Sequence, residues 1–292
     1  MNEKFKGVFP ALLTPFDAEG SVNFCSLELL VESLLDQGVT GFYVDGSTGE
    51  AFLLSMEERK DVIRSVAEYN HGRGVLIAQV GCISTKDAID LAKVAEASGY
   101  DAISSVAPFY YKFSFDQIKK YYYDIVNAVS IPMVIYNIPA FSGVNLSVEQ
   151  MGEFLKDPRF IGVKHTSSDY FAMRQLKTAF PDKIMFNGFD ETFLAGLSMG
   201  AEAAIGSTYN FMAPSFIRIL ELFHSGNIIE AADLQEKVDR IITVLCKYGV
   251  MAGCKAILTA KGIPMGCVRA PFTDLTDEQK ADLLKVVQDI LG

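Results

Sequence analysis

The chain has 292 residues, of which 50% are hydrophobic and 21% are charged, and this composition excludes a disordered or low-complexity protein. Because 36 acidic side chains outnumber 26 basic ones, the net charge of −10 argues against a nucleic acid or an anionic membrane surface as partner. No apolar run approaches the roughly 20 residues that span a bilayer, so we expect no membrane segment.

Short apolar segments rich in β-branched residues alternate with longer helical patterns, and eight such pairs follow one another along the chain. The alternation is typical of βα units, and near-continuous apolarity is typical of parallel strands that are covered on both faces. The predicted strands span residues 7–15, 41–45, 75–81, 102–107, 132–137, 161–166, 184–188 and 203–207.

Capping-box spacings predict where several of the intervening helices begin. These spacings are Ser55 with Glu58, Ser114 with Gln117, and Ser147 with Gln150. Three more helices are predicted near residues 228–248, 254–261 and 277–291. We therefore predict an α/β protein, a (β/α)8 TIM barrel over residues 1–225 with a C-terminal helical extension, residues 226–292, packed on it. A doubly wound open sheet is the alternative, but no GxGxxG motif follows the first strand.

Lys164 is the sharpest candidate for chemistry, because it lies at the C-terminal end of an apolar strand, where barrel enzymes place their sites. Desolvation would lower its pKa and leave a neutral amine that can attack a ketone and form a Schiff base. A strand-end lysine that reaches water or pairs with a carboxylate is the alternative. Tyr136, at the end of the adjacent strand, is placed to relay protons, although a core aromatic residue would fit equally.

The turn at residues 46–49 is a candidate anion site. It combines the hydroxyls of Ser47 and Thr48 with glycines that let backbone N–H groups approach a carboxylate. Similar turns are also common as plain structure. We expect Glu50 to orient this loop, and a P-loop is excluded because no lysine follows the second glycine.

Asp190 and Glu191 follow the seventh predicted strand, where many barrels bind phosphate. Two carboxylates there would repel phosphate and favour the hydroxyl groups of a polyol. The alternative is that they serve as the N-cap and a first-turn acid of the next helix.

The cysteines and histidines carry no metal or disulfide pattern. The five cysteines form no CxxC pair and the first ten residues contain no apolar signal segment, so we expect free thiols in a reducing cytoplasm. The histidines, His71, His165 and His224, are scattered without the spacing of zinc ligands, so we predict no metal site. His165 is expected to be structural.

The chain resembles the family of pyruvate-dependent class I aldolases that includes dihydrodipicolinate synthase and N-acetylneuraminate lyase. The resemblance runs from ALLTPF at residues 11–16 to VRAPF at residues 268–272. GSTGE at residues 46–50 is similar to the pyruvate-carboxylate loop of the family. Tyr136, within YNIP, is similar to its catalytic tyrosine, and Lys164 to its Schiff-base lysine. The resemblance implies no cofactor and a homotetramer.

Other residues resemble the sialic acid lyase branch of the family. The segment that begins at Gly188 and contains Asp190 and Glu191 is similar to the one that holds the glycerol chain of the sugar. Thr166 and Ser207 match further substrate contacts, and Tyr110 matches a tyrosine that reaches the site of a neighbouring subunit. Dihydrodipicolinate synthases typically carry an arginine after Tyr-Asn-x-Pro, which residues 140–142 lack.

One departure from the lyase pattern is Asp45, where lyases often have glycine. Its carboxylate would oppose pyruvate binding unless it points away.

The resemblance implies Schiff-base retro-aldol cleavage of N-acetylneuraminate, a sialic acid, to N-acetylmannosamine and pyruvate. Lys164 would be the electron sink, Tyr136 with support from Ser47 the proton relay, and Ser47 and Thr48 the carboxylate site. The rivals are a related aldolase for another 2-keto-3-deoxy sugar acid, dihydrodipicolinate synthase, and a catalytically silent barrel that senses pyruvate or sialic acid.

Overall fold

Eight parallel strands form one closed sheet in this computed structural model, which describes residues 2–292. The strands are β1 (Gly7–Pro10), β2 (Gly41–Val44), β3 (Val75–Gln79), β4 (Ala102–Val106), β5 (Met133–Asn137), β6 (Phe160–His165), β7 (Ile184–Asn187) and β8 (Ala203–Gly206). From β2 to β8 each strand pairs with the next along the chain, and β8 pairs with β1. Thr40 N donates to Val8 O at 3.0 Å and Leu12 N donates to Tyr43 O at 2.9 Å, so β1 and β2 close the barrel. The (β/α)8 prediction is confirmed.

Helices follow the strands and then form the predicted C-terminal extension. They are α1 (Phe24–Asp36), α2 (Met56–Asn70), α3 (Thr85–Ala97), α4 (Phe115–Val126), α5 (Pro139–Ser142), α6 (Val148–Leu155), α7 (Tyr170–Ala179), α8 (Phe193–Ser198), α9 (Tyr209–His224), α10 (Ile228–Tyr248), α11 (Val250–Ala260) and α12 (Asp277–Leu291). Within residues 2–292 no single helix has the length and apolar composition to cross a membrane; α10 and α11 meet both measures only as a pair bent by 118°.

The helix starts predicted from capping boxes are confirmed, whereas two other predicted boundaries differ by four residues or more. All three capping boxes form, at the beginnings of α2, α4 and α6. The first strand ends at Pro10 rather than at residue 15, because the side chain of Asn210 takes over its backbone partners: Nδ2 donates to Ala11 O at 2.7 Å and Oδ1 accepts from Leu13 N at 3.1 Å. Helix α11 begins four residues earlier than predicted, directly after Gly249, whose φ of 116° ends α10.

Strand alternation divides the apolar side chains between two layers. Val134 and Tyr136 point into the barrel, while Ile135 and Val163 pack outward against the helices. Since Val163 points outward, Lys164 points inward. Side chains of the C-terminal helices join the same outer cluster as the barrel helices, so the division at residues 225 and 226 stays a prediction.

Candidate active site

Lys164 lies at the end of β6 with its side chain inside the barrel, only 4% exposed. Its Nζ lies 3.9 Å from the centroid of the Tyr43 ring and 4.1 Å from that of the Tyr136 ring. The two fully buried ion pairs of residues 2–292 are Arg59 with Asp45 and Lys255 with Glu50, and Lys164 belongs to neither. Burial lowers the pKa of Lys164 to about 7, although the charge of Asp190 raises it. A substantial fraction of this amine is therefore neutral near pH 7 and able to act as a nucleophile.

Tyr136 lies beside Lys164 inside the barrel, because the two residues are register partners on the adjacent strands β5 and β6. Burial raises the pKa of the Tyr136 phenol to about 12, while the hydroxyls of Ser47 and Thr166 lower it. The phenol is therefore protonated at neutral pH, beside the amine. Thr166 Oγ1 is buried without a hydrogen-bond partner of good geometry. A Cβ at Gly188 would lie 2.0 Å from that oxygen, so only glycine fits there.

The loop at residues 46–49 follows β2 and contains a short 3-10 helix, Ser47–Gly49. Thr48 Oγ1 and Ser207 Oγ, at the end of β8, share a hydrogen bond of 2.6 Å. Thr14 Oγ1 donates to Gly49 O at 2.8 Å. The structure thus brings together Ser47, Thr48 and Ser207 at the same end of the barrel as Lys164.

The loop is flanked by two buried carboxylates that point away from the barrel interior. Asp45 Oδ2 accepts a hydrogen bond from Arg59 Nε at 2.6 Å. Burial raises the pKa of Asp45 to about 7 and only Arg59 lowers it, so the carboxylate depends on that guanidinium to stay ionised. Glu50 Oε1 accepts from Lys255 Nζ at 2.6 Å. The Asp45 carboxylate therefore points away from the loop that would bind pyruvate, toward Arg59 on α2.

Asp190 and Glu191 lie in a separate 3-10 helix, Asp190–Thr192, between β7 and α8. Both are first-turn acids of this 3-10 helix, as the alternative expected, but neither is an N-cap: Phe189 is the N-cap of the 3-10 helix and Thr192 that of α8. Asp190 is buried, and its Oδ2 accepts from Thr208 N at 2.8 Å and from Thr208 Oγ1 at 2.6 Å. Burial raises its pKa to about 6. Glu191 is exposed.

Tyr110 is the one predicted site residue that lies outside this group within the described chain. It is 83% exposed in the loop after β4, with a φ of 77°, and its ring stacks edge-on against Tyr111 at 5.0 Å. His165 is structural as expected: its Nε2 lies 3.0 Å from Asp169 O, and its Nδ1 lies 3.4 Å from Asn137 Nδ2.

Sequence reasoning missed three contributors to the site. Tyr43 forms one wall around the Lys164 amine, Thr208 holds Asp190, and Lys255 pairs with Glu50. A lone lysine among the apolar residues of α11 is the same signal that singled out Lys164, and inward alternation along β2 marks Tyr43. No signal in the sequence marked Thr208.

A cavity of about 370 Å³ lies elsewhere, at the N-terminal ends of β3 and β4 near Gly74 and Asp101. It is at the opposite end of the barrel from Lys164 and shares no residue with the site. Within residues 2–292 no group of three or more His, Cys, Asp or Glu side chains is placed to hold a metal ion. The expectation of a metal-free site stays a prediction.

Comparison with known proteins places the chain in a family. The model of the dihydrodipicolinate synthetase family matches residues 4–290. N-acetylneuraminate lyase of Rhizobium meliloti (strain 1021) is 42% identical over 289 residues, which cover 99% of this chain and 96% of that protein. The structure of CdNal from Clostridium difficile in complex with mannosamine has a TM-score of 0.96 at 38% identity, covering 98% of this chain and 99% of that one. A catalytic lysine mutant of Ruminococcus gnavus sialic acid aldolase has a TM-score of 0.96 at 36% identity, covering 99% and 96%.

Proposed function

Because this chain belongs to the dihydrodipicolinate synthetase family and is a carbon–carbon lyase, we propose that it cleaves N-acetylneuraminate to N-acetylmannosamine and pyruvate. The observation that carries the proposal is the buried Lys164 amine, which has no carboxylate partner and lies against the ring of Tyr136. The N-acetylneuraminate lyases and sialic acid aldolases among its relatives support this substrate. Dihydrodipicolinate synthase is not favoured, since α5 offers no arginine for a second carboxylate.

The proposed reaction starts when the neutral amine of Lys164 attacks the C2 ketone of the open-chain substrate. Tyr136 donates its proton to the departing hydroxyl, which leaves as water, and an iminium forms on Lys164. The phenolate then takes the proton of the C4 hydroxyl, the C3–C4 bond breaks, and its electron pair moves into the iminium to give an enamine. Tyr136 returns the proton to C3, and water releases pyruvate from Lys164.

Other residues hold the substrate in this proposal. Ser47 and Thr48 bind the carboxylate, and Ser47 also supports the Tyr136 phenol, whose pKa it lowers. Thr166 contributes a buried hydroxyl that lies beside Gly188 and lowers the pKa of the Tyr136 phenol. The distal polyol faces the group Gly188, Asp190, Glu191 and Ser207.

Within this proposal the enzyme is a cytoplasmic homotetramer in which Tyr110 enters the site of a neighbouring subunit. The support is the position of Tyr110, held by a left-handed backbone at the barrel mouth with an exposed aromatic neighbour, Tyr111. Light scattering of the purified protein is expected to give the mass of four chains. A monomer with full activity would remove Tyr110 from the site.

A coupled assay for pyruvate release from N-acetylneuraminate tests the proposed function directly. We expect pyruvate and N-acetylmannosamine in equal amounts. Pyruvate release from another 2-keto-3-deoxy sugar acid but not from N-acetylneuraminate would favour the related aldolase. Imine formation without cleavage of any such acid would favour a sensor.

A further inference from the structure

The loop at residues 46–49 lies between two residues in an unusual backbone conformation. Asp45 has a φ of 61° and Glu50 a φ of 59°, so both are left-handed although neither is glycine. A Cβ makes this conformation unfavourable, and residues stay in it only where surrounding contacts hold them. The contacts of these two carboxylates are therefore part of what determines the shape of the loop.

At the first end of the loop, Asp45 is held from α2. Arg59 donates through Nε to Asp45 Oδ2 at 2.6 Å and through Nη2 to Gln79 O on β3 at 3.1 Å. The side chains of the pair are 4% and 0% exposed. Asp45 is thereby tied to both the helix behind the loop and the next strand of the barrel.

At the second end, Glu50 is held from the C-terminal extension. Lys255 Nζ on α11 donates to Glu50 Oε1 at 2.6 Å, and Arg269 N donates to Glu50 Oε2 at 2.7 Å. The Arg269 guanidinium also pairs with Glu58 at 2.7 Å on α2, the helix that carries Arg59. The two ends of the loop are thus joined through one network.

The charges of this network bear on anion binding. Residues 45–50 contain two acids and no base, so nothing within the segment attracts a carboxylate except hydroxyl and N–H dipoles. Without Lys255, the carboxylate of Glu50 would repel an anion in the loop beside it. Without Arg59, Asp45 would take up a proton, because burial raises its pKa and only Arg59 lowers it, and its hold on the loop would be lost. Lys255 neutralises Glu50 from behind the loop, and neither Arg59 nor Lys255 occupies an N–H group or a hydroxyl of residues 46–49.

We propose that Arg59 and Lys255 are positioning residues that hold the loop at residues 46–49 in its carboxylate-binding shape, and that Lys255 also cancels the negative charge of Glu50. The inference rests on the proposed function, because the carboxylate is that of the 2-oxo acid substrate. Neither residue touches the reacting atoms; both act through the acids that flank the loop. The C-terminal extension therefore contributes to substrate affinity through Lys255.

The test measures the pyruvate concentration that half-saturates borohydride trapping at Lys164. Lys255→Met and Arg59→Met are each expected to raise it by about 10- to 100-fold, as misplacement of a binding loop does. The KM for N-acetylneuraminate should rise in parallel, with kcat changed by less than about threefold, since binding rather than chemistry is lost. Lys183→Met is the matched control, because Lys183 is a buried lysine whose Nζ donates to Phe160 O at 2.7 Å, away from the loop.

A second pair of variants covers the case in which a single substitution prevents folding. Glu50→Gln with Lys255→Met, and Asp45→Asn with Arg59→Met, leave no unpaired buried charge. Both double variants are expected to raise the half-saturating pyruvate concentration by at least about fivefold. They remove the charge that would repel pyruvate, but they also remove the contacts that fix the loop.

The outcomes separate the inference from the function on which it rests. Folded variants that bind pyruvate like the Lys183→Met control, whatever their melting temperature, would overturn the positioning role and leave the aldolase intact. A wild-type protein that pyruvate and borohydride never label would overturn both.

Discussion

Two buried lysines lie in regions of opposite character, the barrel mouth and the contact between the C-terminal extension and the 46–49 loop. Lys164 is 4% exposed and lies between aromatic rings; Lys255 is 2% exposed and lies 2.6 Å from the carboxylate of Glu50. Burial lowers the pKa of both, to about 7 for Lys164, but at Lys255 Glu50 opposes the shift. Burial alone therefore does not make a lysine reactive; burial at the barrel mouth with neither a carboxylate nor a carbonyl partner does.

The largest effect on catalysis is expected when the lysine at the barrel mouth is removed. Lys164→Ala should lower kcat by at least about 10⁴-fold, because no other residue supplies the amine that accepts the electron pair. A steady-state assay with N-acetylneuraminate checks it, with Lys183→Met as the control that retains activity. Activity within tenfold of wild type in the folded Lys164→Ala variant would show that catalysis does not proceed through a Schiff base on Lys164.

Tyr136→Phe should come next in size. The ring still packs against Lys164 while the phenolic proton is gone, so we expect kcat to fall by ~10²- to 10⁴-fold with the fold retained. Circular dichroism and turnover measure the two properties separately. A variant that kept more than about a third of the wild-type kcat would mean that another group relays the proton.

A smaller and more selective effect is expected at the distal acids. Glu191→Ala and Asp190→Ala should each weaken kcat/KM for N-acetylneuraminate by about 10- to 150-fold, since a charge-assisted hydrogen bond is worth ~1.5 to 3 kcal/mol. Pyruvate trapping at Lys164 should survive in Glu191→Ala, because Glu191 is exposed. The exposed Glu68 on α2 offers a matched Glu→Ala control.

Asp190 differs from Glu191 because its carboxylate also holds Thr208. Loss of pyruvate trapping together with a lower melting temperature in Asp190→Ala alone would make that residue structural. Wild-type kinetics in both variants would refute the polyol assignment.

The smallest expected effect is the dependence of imine formation at Lys164 on pH. The amine of Lys164 must lose its proton before it attacks, so the rate of imine formation should rise about tenfold from pH 6 to pH 8, around its pKa of about 7. Asp190→Asn should move the midpoint to lower pH, because the charge of Asp190 raises the pKa of Lys164. A rate that is flat across this range would show that the amine does not titrate there.

Local signals made much of the fold predictable from the sequence. The capping box of Ser55 with Glu58, a signal only four residues long, specifies the start of α2. Apolar runs locate the strands. The end of β1 was not predictable, because it depends on Asn210, which lies 197 residues from Leu13 along the chain. After Pro10, hydrogen bonds to the Asn210 side chain replace the strand-to-strand hydrogen bonds that the local apolar pattern predicts.

The candidate site divides in the same way. Lys164 and Tyr136 could be found because strand alternation and strand ends are visible in the sequence. The pairing of Glu50 with Lys255 could not, since 205 residues separate them and only closure of the barrel brings α11 behind the loop. The left-handed backbone at Asp45 was equally hidden, because a carboxylate after an apolar strand also fits an ordinary turn.

The most direct test of the contrast between the two lysines is chemical trapping in the wild-type protein. Pyruvate and borohydride are added near pH 7, and the modified peptide is mapped by mass spectrometry. We predict a single reduced pyruvate adduct, on Lys164, with Lys255 and Lys183 unmodified. An adduct on Lys255 or Lys183, or no adduct on any lysine, would contradict the claim that the unpaired buried amine at the barrel mouth is the nucleophile.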